Sequence, residues 1–186
     1  MTESLRSARD TTLCLIGPMG AGKTTVGGLL ARRLGRSHVD LDRLLEERLG
    51  MPITSFFASG MEREFRRWES RLLRTALEAS PCVLTPGAGV VLRARNRLLL
   101  SRKTTVVYCA VTEEEQRKRL AGDAVRPLLS SGPDALALLN AARVPHYEAL
   151  AHLVVDTTGR TPEEVMVRVL EDLAERGWKV PCTQTG

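Results

Sequence analysis

Residues 13–24 read Leu13-Cys14-Leu15-Ile16-Gly17-Pro18-Met19-Gly20-Ala21-Gly22-Lys23-Thr24. An apolar strand runs into a tight glycine loop, and Lys23 and Thr24 open a helix. Gly17 to Thr24 fits the pattern G-x-x-x-x-G-K-[ST] in the strand–loop–helix setting the pattern requires. The physics follows from the backbone. N–H groups of a tight glycine loop converge on phosphate oxygens, and the helix N-terminus adds positive potential. Gly20, Ala21, Gly22, Lys23, Thr24 and Thr25 are therefore candidates for binding a nucleotide such as ATP. Lys23 is placed to reach the β- and γ-phosphates, and the Thr24 hydroxyl to face Mg²⁺.

Working away from this loop, short apolar runs alternate with helical patterns. TLCLIG, SHVD, CVLT, TTVVYCA and HLVVDT are bounded by Gly, Pro, Asp or Ser. Continuous apolar runs of this kind predict a parallel sheet covered on both faces. Leu41, Leu44, Leu45 and Leu49 have helical spacing, closed by Gly50 and Pro52. Leu72, Leu73, Ala76 and Leu77 mark a second helix. Thr161-Pro162-Glu163-Glu164 reads as a helix start, with Thr as cap, Pro in the first turn and acids facing the positive end. The fold class is α/β with right-handed crossovers. The 186 residues suffice for one domain, 1–186, with its core at about 11–178 and flexible ends before about Asp10 and after about Lys179. The loop GDAVRPLLSSG, with Arg126 at its centre, has the length and composition of a functional lid over about 120–132.

A phosphate loop needs a second carboxylate to organise Mg²⁺. The strand CVLT ends in Pro86-Gly87-Ala88-Gly89 and offers none. The end of SHVDLD offers Asp40 and Asp42, two apart and so on one side of an extended segment. One is assigned to the metal and one to a substrate. For Asp42 the competing reading is a cap on a helix beginning at Arg43. Arg66, Arg119, Arg126 and Arg143 stand at element ends or beside apolar residues, where a planar guanidinium suits carboxylate or phosphate. Taken singly each reads first as surface charge, and spacing does not say which belong to a pocket. His38, His146 and His152 show no metal or triad spacing. Cys14, Cys82 and Cys109 fall in apolar runs and read as buried reduced thiols, with Cys182 in the tail.

Composition narrows the partners. Net charge is +5, with 43% hydrophobic and 26% charged residues, which suits a soluble protein with anionic ligands. Aromatics at 4% leave few stacking surfaces for nucleic acid. No apolar run is long enough to cross a bilayer, and MTESLRSARDTT lacks a signal-peptide core, so a cytoplasmic location is expected.

Several motifs in order resemble the shikimate kinase family: GPMGAGKTTVG, VDLD, EREFRRWE, PGAGVV, RLAGDAVRPLL, RVPHYEALA and DTTGRTPEEV. The resemblance spans about Leu13 to Val169. It implies a three-layer P-loop fold like that of nucleoside monophosphate kinases, with a five-stranded parallel sheet, a lid loop and a helical acceptor-binding segment at about 40–70. It implies transfer of the γ-phosphoryl of ATP to the 3-hydroxyl of shikimate, in aromatic amino-acid biosynthesis, by a monomer that needs neither nucleic acid nor membrane. By motif, Lys23, Asp42 and Arg126 would be catalytic, with Asp42 also on the shikimate hydroxyls. Arg66 and Arg143 would hold the shikimate carboxylate, and Gly87, Ala88 and Gly89 would present backbone N–H groups. Thr24 and Asp40 would serve Mg²⁺. Arg119, Arg126, Arg160 and Pro162 would complete the ATP site.

Four departures from the family pattern stand out. Ala88 replaces a central glycine and Pro86 a threonine. Met61 stands where a glycine is usual, with Gly60 one place early. Gly28 stands where a longer side chain is usual. Were Ala88 at positive φ, the cost would be on the order of 1 kcal/mol. Ala88 and Met61 are expected to border the pocket. Two alternatives accompany the leading one: a same-fold kinase for another small polyol or hydroxy acid, and a non-catalytic ATP- and shikimate-binding module.

Overall fold

The computed structural model describes residues 11–121 and 134–178. The expected mobile ends, Cys182, and all of the expected lid beyond Ala121, including Arg126, lie outside the described residues.

Five strands form one parallel sheet: β1 (Thr12–Ile16), β2 (His38–Asp40), β3 (Val83–Thr85), β4 (Thr104–Ala110) and β5 (Leu153–Asp156), in the order β2-β3-β1-β4-β5. Cys14 pairs with Leu84 on one side and Val106 on the other, so the phosphate-loop strand is central. All five apolar runs are strands. Continuous burial holds for β1 and β3 and nearly throughout β4, whereas β5 alternates, with Val154 58% exposed. The reason is position: β5 and β2 are edge strands, with less of the helical layers against them.

The described residues hold eight helices: α1 (Lys23–Leu34), α2 (Leu41–Leu49), α3 (Ile53–Ala58), α4 (Glu62–Glu78), α5 (Ala94–Lys103), α6 (Glu113–Leu120), α7 (Ala135–Leu150) and α8 (Pro162–Glu175). A short 3₁₀ turn spans Val90–Leu92. One face of the sheet packs Leu13, Leu15, Val107 and Val155 against Val26 and Leu30 of α1 and Val165, Val169 and Leu173 of α8. The other packs Cys14, Ile16, Leu84 and Val106 against Leu73 of α4, Leu100 of α5 and Tyr147 of α7. A third cluster, Leu45, Phe56 and Phe65, ties α2, α3 and α4 together beyond the sheet. Alternating side chains of each strand feed the two layers, as the pleat requires.

Local signals explain the helix ends. Thr161 and Glu164 form a reciprocal capping box, Thr161 N–H donating to Glu164 Oε2 at 2.8 Å and Glu164 N–H to Thr161 Oγ1 at 3.2 Å. Gly50 closes α2 in the left-handed region. Cys14, Cys82 and Cys109 are free and buried, and burial pushes the Cys109 thiol up to about 12. No helix among the described residues is long and apolar enough to cross a membrane.

Candidate active site

The strand carboxyl ends of β1, β2 and β3 open onto one cleft of about 790 Å³, where open parallel sheets take their ligands. The phosphate loop forms one wall. Gly17 has φ 146°, and a Cβ there would strike the Cys109 carbonyl, so the loop passes β4 at a distance only glycine permits. Gly22 caps α1 at φ 77°, which aims the helix N-terminus at the cleft. Lys23 Nζ donates to the carbonyls of Gly17 at 2.9 Å and Pro18 at 2.8 Å. Thr24 Oγ1 donates to Asp40 Oδ2 at 2.8 Å. Met19, Gly20, Gly22, Lys23, Thr24 and Thr25 line the cleft, while Ala21 is buried and has only backbone to offer.

Asp40 and Asp42 both line the cleft, though not by the extended geometry expected of them. The strand ends at Asp40 and α2 begins at Leu41, so Asp42 stands in the first helical turn. The helix cap is Asp40, whose Oδ1 accepts from the N–H groups of Asp42 at 3.0 Å and Arg43 at 3.2 Å. Asp42 is thus not the cap. Asp40 has one oxygen on the helix start and one on Thr24, an all-oxygen pair of the hardness Mg²⁺ prefers. No group of three or more His, Cys, Asp or Glu forms a metal cage among the described residues.

The loop Pro86-Gly87-Ala88-Gly89 lines the same cleft. None of its residues has positive φ. Its glycines are required by neighbours instead: a Cβ on Gly87 would run into the Asp42 carboxylate, and one on Gly89 into the Arg66 guanidinium. Ala88 sits between them without backbone strain, so the conformational penalty considered above does not arise. Tyr147 Oη donates to the Ala88 carbonyl at 2.6 Å and fixes the loop. Burial raises the Tyr147 hydroxyl above its ordinary range and keeps it protonated as a donor.

Two arginines, Arg66 and Arg143, also line the cleft. Arg66 on α4 donates to Glu69 Oε1 at 2.9 Å and reaches Glu62 Oε1 at 3.4 Å. Arg143 lies inside α7, two residues before Pro145, rather than at an element end. It is 6% exposed, and its Nε has no hydrogen-bond partner among the described residues. Burial lowers its pKa, and nearby Arg66 lowers it further. A buried guanidinium with an unused donor, beside a second guanidinium, calls for an anion.

Arg119, on α6, bridges two loops: Nη1 donates to the Gly20 carbonyl at 3.0 Å and Nη2 to the Thr157 carbonyl at 2.6 Å. Arg160 and Pro162 are not among the residues lining the cleft, and Pro162 opens α8 beyond the Thr157 loop. Met61 does not line it either. It packs against the Leu45–Phe56–Phe65 cluster, because its position at the start of α4 turns it toward that core. Gly28 faces only His38, its nearest neighbour for an added Cβ at 3.7 Å, away from the cleft.

Sequence reasoning missed Glu69, Gln116, Asn140 and the Tyr147 hydroxyl. Glu69 is 1% exposed and lines the cleft floor, where burial pushes its carboxyl up to about 7 despite Arg66. The signal was available: Glu69 falls on the same α4 stripe as Phe65 and Leu73, and a carboxylate in phase with a core stripe must serve a partner.

Comparison with known proteins decides the family. A shikimate kinase family model matches residues 19–174. The chain belongs to the shikimate kinase family. It is 41% identical over 170 residues to a shikimate kinase of Symbiobacterium thermophilum, covering 89% of this chain and 97% of that protein. A shikimate kinase of Enterococcus faecalis is 39% identical over 167 residues, covering 88% and 99%. Among solved structures, a shikimate kinase from Acinetobacter baumannii in complex with shikimate superposes with a TM-score of 0.85 at 33% identity, covering 91% of this chain and 96% of that one. A gluconokinase from Sinorhizobium meliloti reaches 0.60 at 17% identity, covering 90% and 93%, a likeness of fold alone. The expected P-loop kinase fold and family are both borne out.

Proposed function

We infer that this protein transfers the γ-phosphoryl group of ATP to the 3-hydroxyl of shikimate, giving ADP and shikimate 3-phosphate. The observation that carries the reading is the buried Arg143, with its unused Nε, lining with Arg66 the same cleft as the phosphate loop. A small acid with hydroxyl groups satisfies both walls at once. Relatives at about 40% identity over most of the chain are shikimate kinases, which favours this acid over another polyol and disfavours a non-catalytic module.

ATP lies with its phosphates on Gly20 to Thr25, Lys23 drawing charge from the β- and γ-oxygens. Thr24 and Asp40 would hold Mg²⁺, which would supply neutralisation of phosphate charge. Arg66 and Arg143 fix the acceptor carboxylate as a bidentate clamp. Asp42, pressed against Gly87, takes the acceptor hydroxyl and receives its proton as the phosphoryl group arrives. The N–H groups of Gly87 to Gly89 contact the acceptor ring substituents. Arg119 sits beside the adenine, and Arg160 and Pro162 complete that end of the site. In a loose transition state the nucleophile needs little activation, so most of the rate comes from alignment and charge stabilisation. The protein acts as a monomer in the cytoplasm and needs no nucleic acid.

The test is the product. Incubation with MgATP and shikimate, read by ³¹P NMR, gives a new phosphomonoester coupled to the proton on ring carbon 3. The methyl ester of shikimate, which lacks the anion, reacts with kcat/KM lower by at least about tenfold, the size of a lost charged hydrogen bond. ATP consumption without a phosphoester, or equal use of the ester, rejects the reading.

A further inference from the structure

Gln116 is fully buried on α6, yet every atom of its amide is used. Its Nε2 donates to the Met19 carbonyl of the phosphate loop at 2.8 Å. Its Oε1 accepts from Asn140 Nδ2, on α7, at 2.7 Å. The direction of this chain is fixed chemically. A backbone carbonyl only accepts, so Gln116 must turn its NH₂ to Met19, and its remaining oxygen requires a donor from Asn140. One turn along α6, Arg119 holds the next carbonyl, that of Gly20. In a trans peptide the C=O and N–H point opposite ways. Two carbonyls pulled toward α6 therefore turn the N–H groups of Gly20 and Ala21 away from it.

The other end of the chain is α7. Asn140, Arg143 and Tyr147 are spaced three and four apart and share one helix face. Asn140 reaches Gln116, Arg143 lines the cleft, and Tyr147 holds the Ala88 carbonyl. One helix thus connects the Gly87–Gly89 loop to the phosphate loop through the buried Gln116 amide.

We propose that Gln116 and Asn140 are positioning residues that set the phosphate loop's donor N–H groups and hold α7 in register with them. Neither touches a substrate in this scheme; both act through Met19. The proposal rests on the phosphate-loop part of the functional reading and is independent of which acceptor is used.

The test is nucleotide affinity, measured as ADP binding by calorimetry on the full chain without acceptor. Asn140→Leu and Asn140→Asp each weaken ADP binding about fivefold, the size of one neutral hydrogen bond. Asn140→Asp keeps the shape but loses the donor, so agreement between the two isolates the hydrogen bond. In a Gln116→Leu background, Asn140→Leu adds less than about twofold, because the chain is already cut. In turnover the ATP KM rises while the shikimate KM moves by less than about twofold. Unchanged ADP affinity in both Asn140 variants, with thermal unfolding confirming the fold, overturns the proposal. So does a full multiplicative loss in the double variant. Asn140 is only half-buried, so its variants decide the matter even where Gln116→Leu does not fold.

Discussion

The cleft has two glycine loops, and they use glycine for different reasons. In the phosphate loop Gly17, Gly20 and Gly22 all have positive φ, so the backbone itself takes a path closed to other residues. In the acceptor loop Gly87 and Gly89 have ordinary backbone angles, and the space for a Cβ is occupied by the Asp42 carboxylate and the Arg66 guanidinium. The first loop is shaped by conformation and the second by close approach. This explains why alanine is tolerated at position 88: it meets neither requirement for glycine, and its carbonyl rather than its side chain is held, by Tyr147.

The largest expected effect comes from removing what the acceptor loop presses against. Asp42→Asn lowers kcat on the order of a hundredfold, as loss of a general base does, while ADP affinity stays within about twofold. Equal loss of both would place Asp42 on the nucleotide side and collapse the distinction. Next, Gly87→Ala displaces the carboxylate and raises the shikimate KM about tenfold with little change in the ATP KM, a loss matching one misplaced charged hydrogen bond. Gly20→Ala, at φ 74°, does the reverse: it weakens ADP binding and costs about 1–2 kcal/mol of stability. Steady-state kinetics and denaturant unfolding on the pair sharpen or break the comparison.

A pH effect is expected from the acceptor floor. Burial raises the Glu69 carboxyl from 4.5 to about 7, with Arg66 opposing the shift. A raised carboxyl keeps its proton in the folded state while the unfolded chain has lost it. This contribution to stability is therefore fully present below about 4.5 and is lost as pH rises through about 7. Glu69→Gln removes that pH-dependent part, which unfolding midpoints between pH 4.5 and 7.5 would show; an unaltered slope would mean the Glu69 proton is not linked to folding. The smallest effect is Ala88→Gly. With no positive φ to relieve, it lowers stability by about 0.4–1 kcal/mol through the unfolded chain, and the shikimate KM shifts by less than about twofold. A stabilised variant would return Ala88 to a strained position.

Much of this was legible in the residues. The five apolar runs, the phosphate loop and the Thr161 cap are local signals, and each forms as read. Asp40 and Asp42 both line the cleft, but the extended geometry expected through Asp42 stops at Asp40, which caps the helix beginning at Leu41. Glu69, Gln116 and Asn140 escaped because their roles lie between elements: a buried glutamine in EEEQRKR looks like part of a solvated face until α6 is laid against the phosphate loop. Arg160 and Pro162 enter by motif alone: neither lines the cleft, and their proposed place is at the adenine end beyond it.

The most direct check on the two-loop scheme is ADP release, followed continuously with MgATP and, in turn, shikimate, gluconate, AMP or no acceptor. Release that depends on shikimate, with the other three near the acceptor-free rate, is the expected outcome. A rate unaffected by shikimate, or one driven by gluconate or AMP instead, would contradict an acceptor site built from Asp42, Arg66, Arg143 and the Gly87–Gly89 backbone.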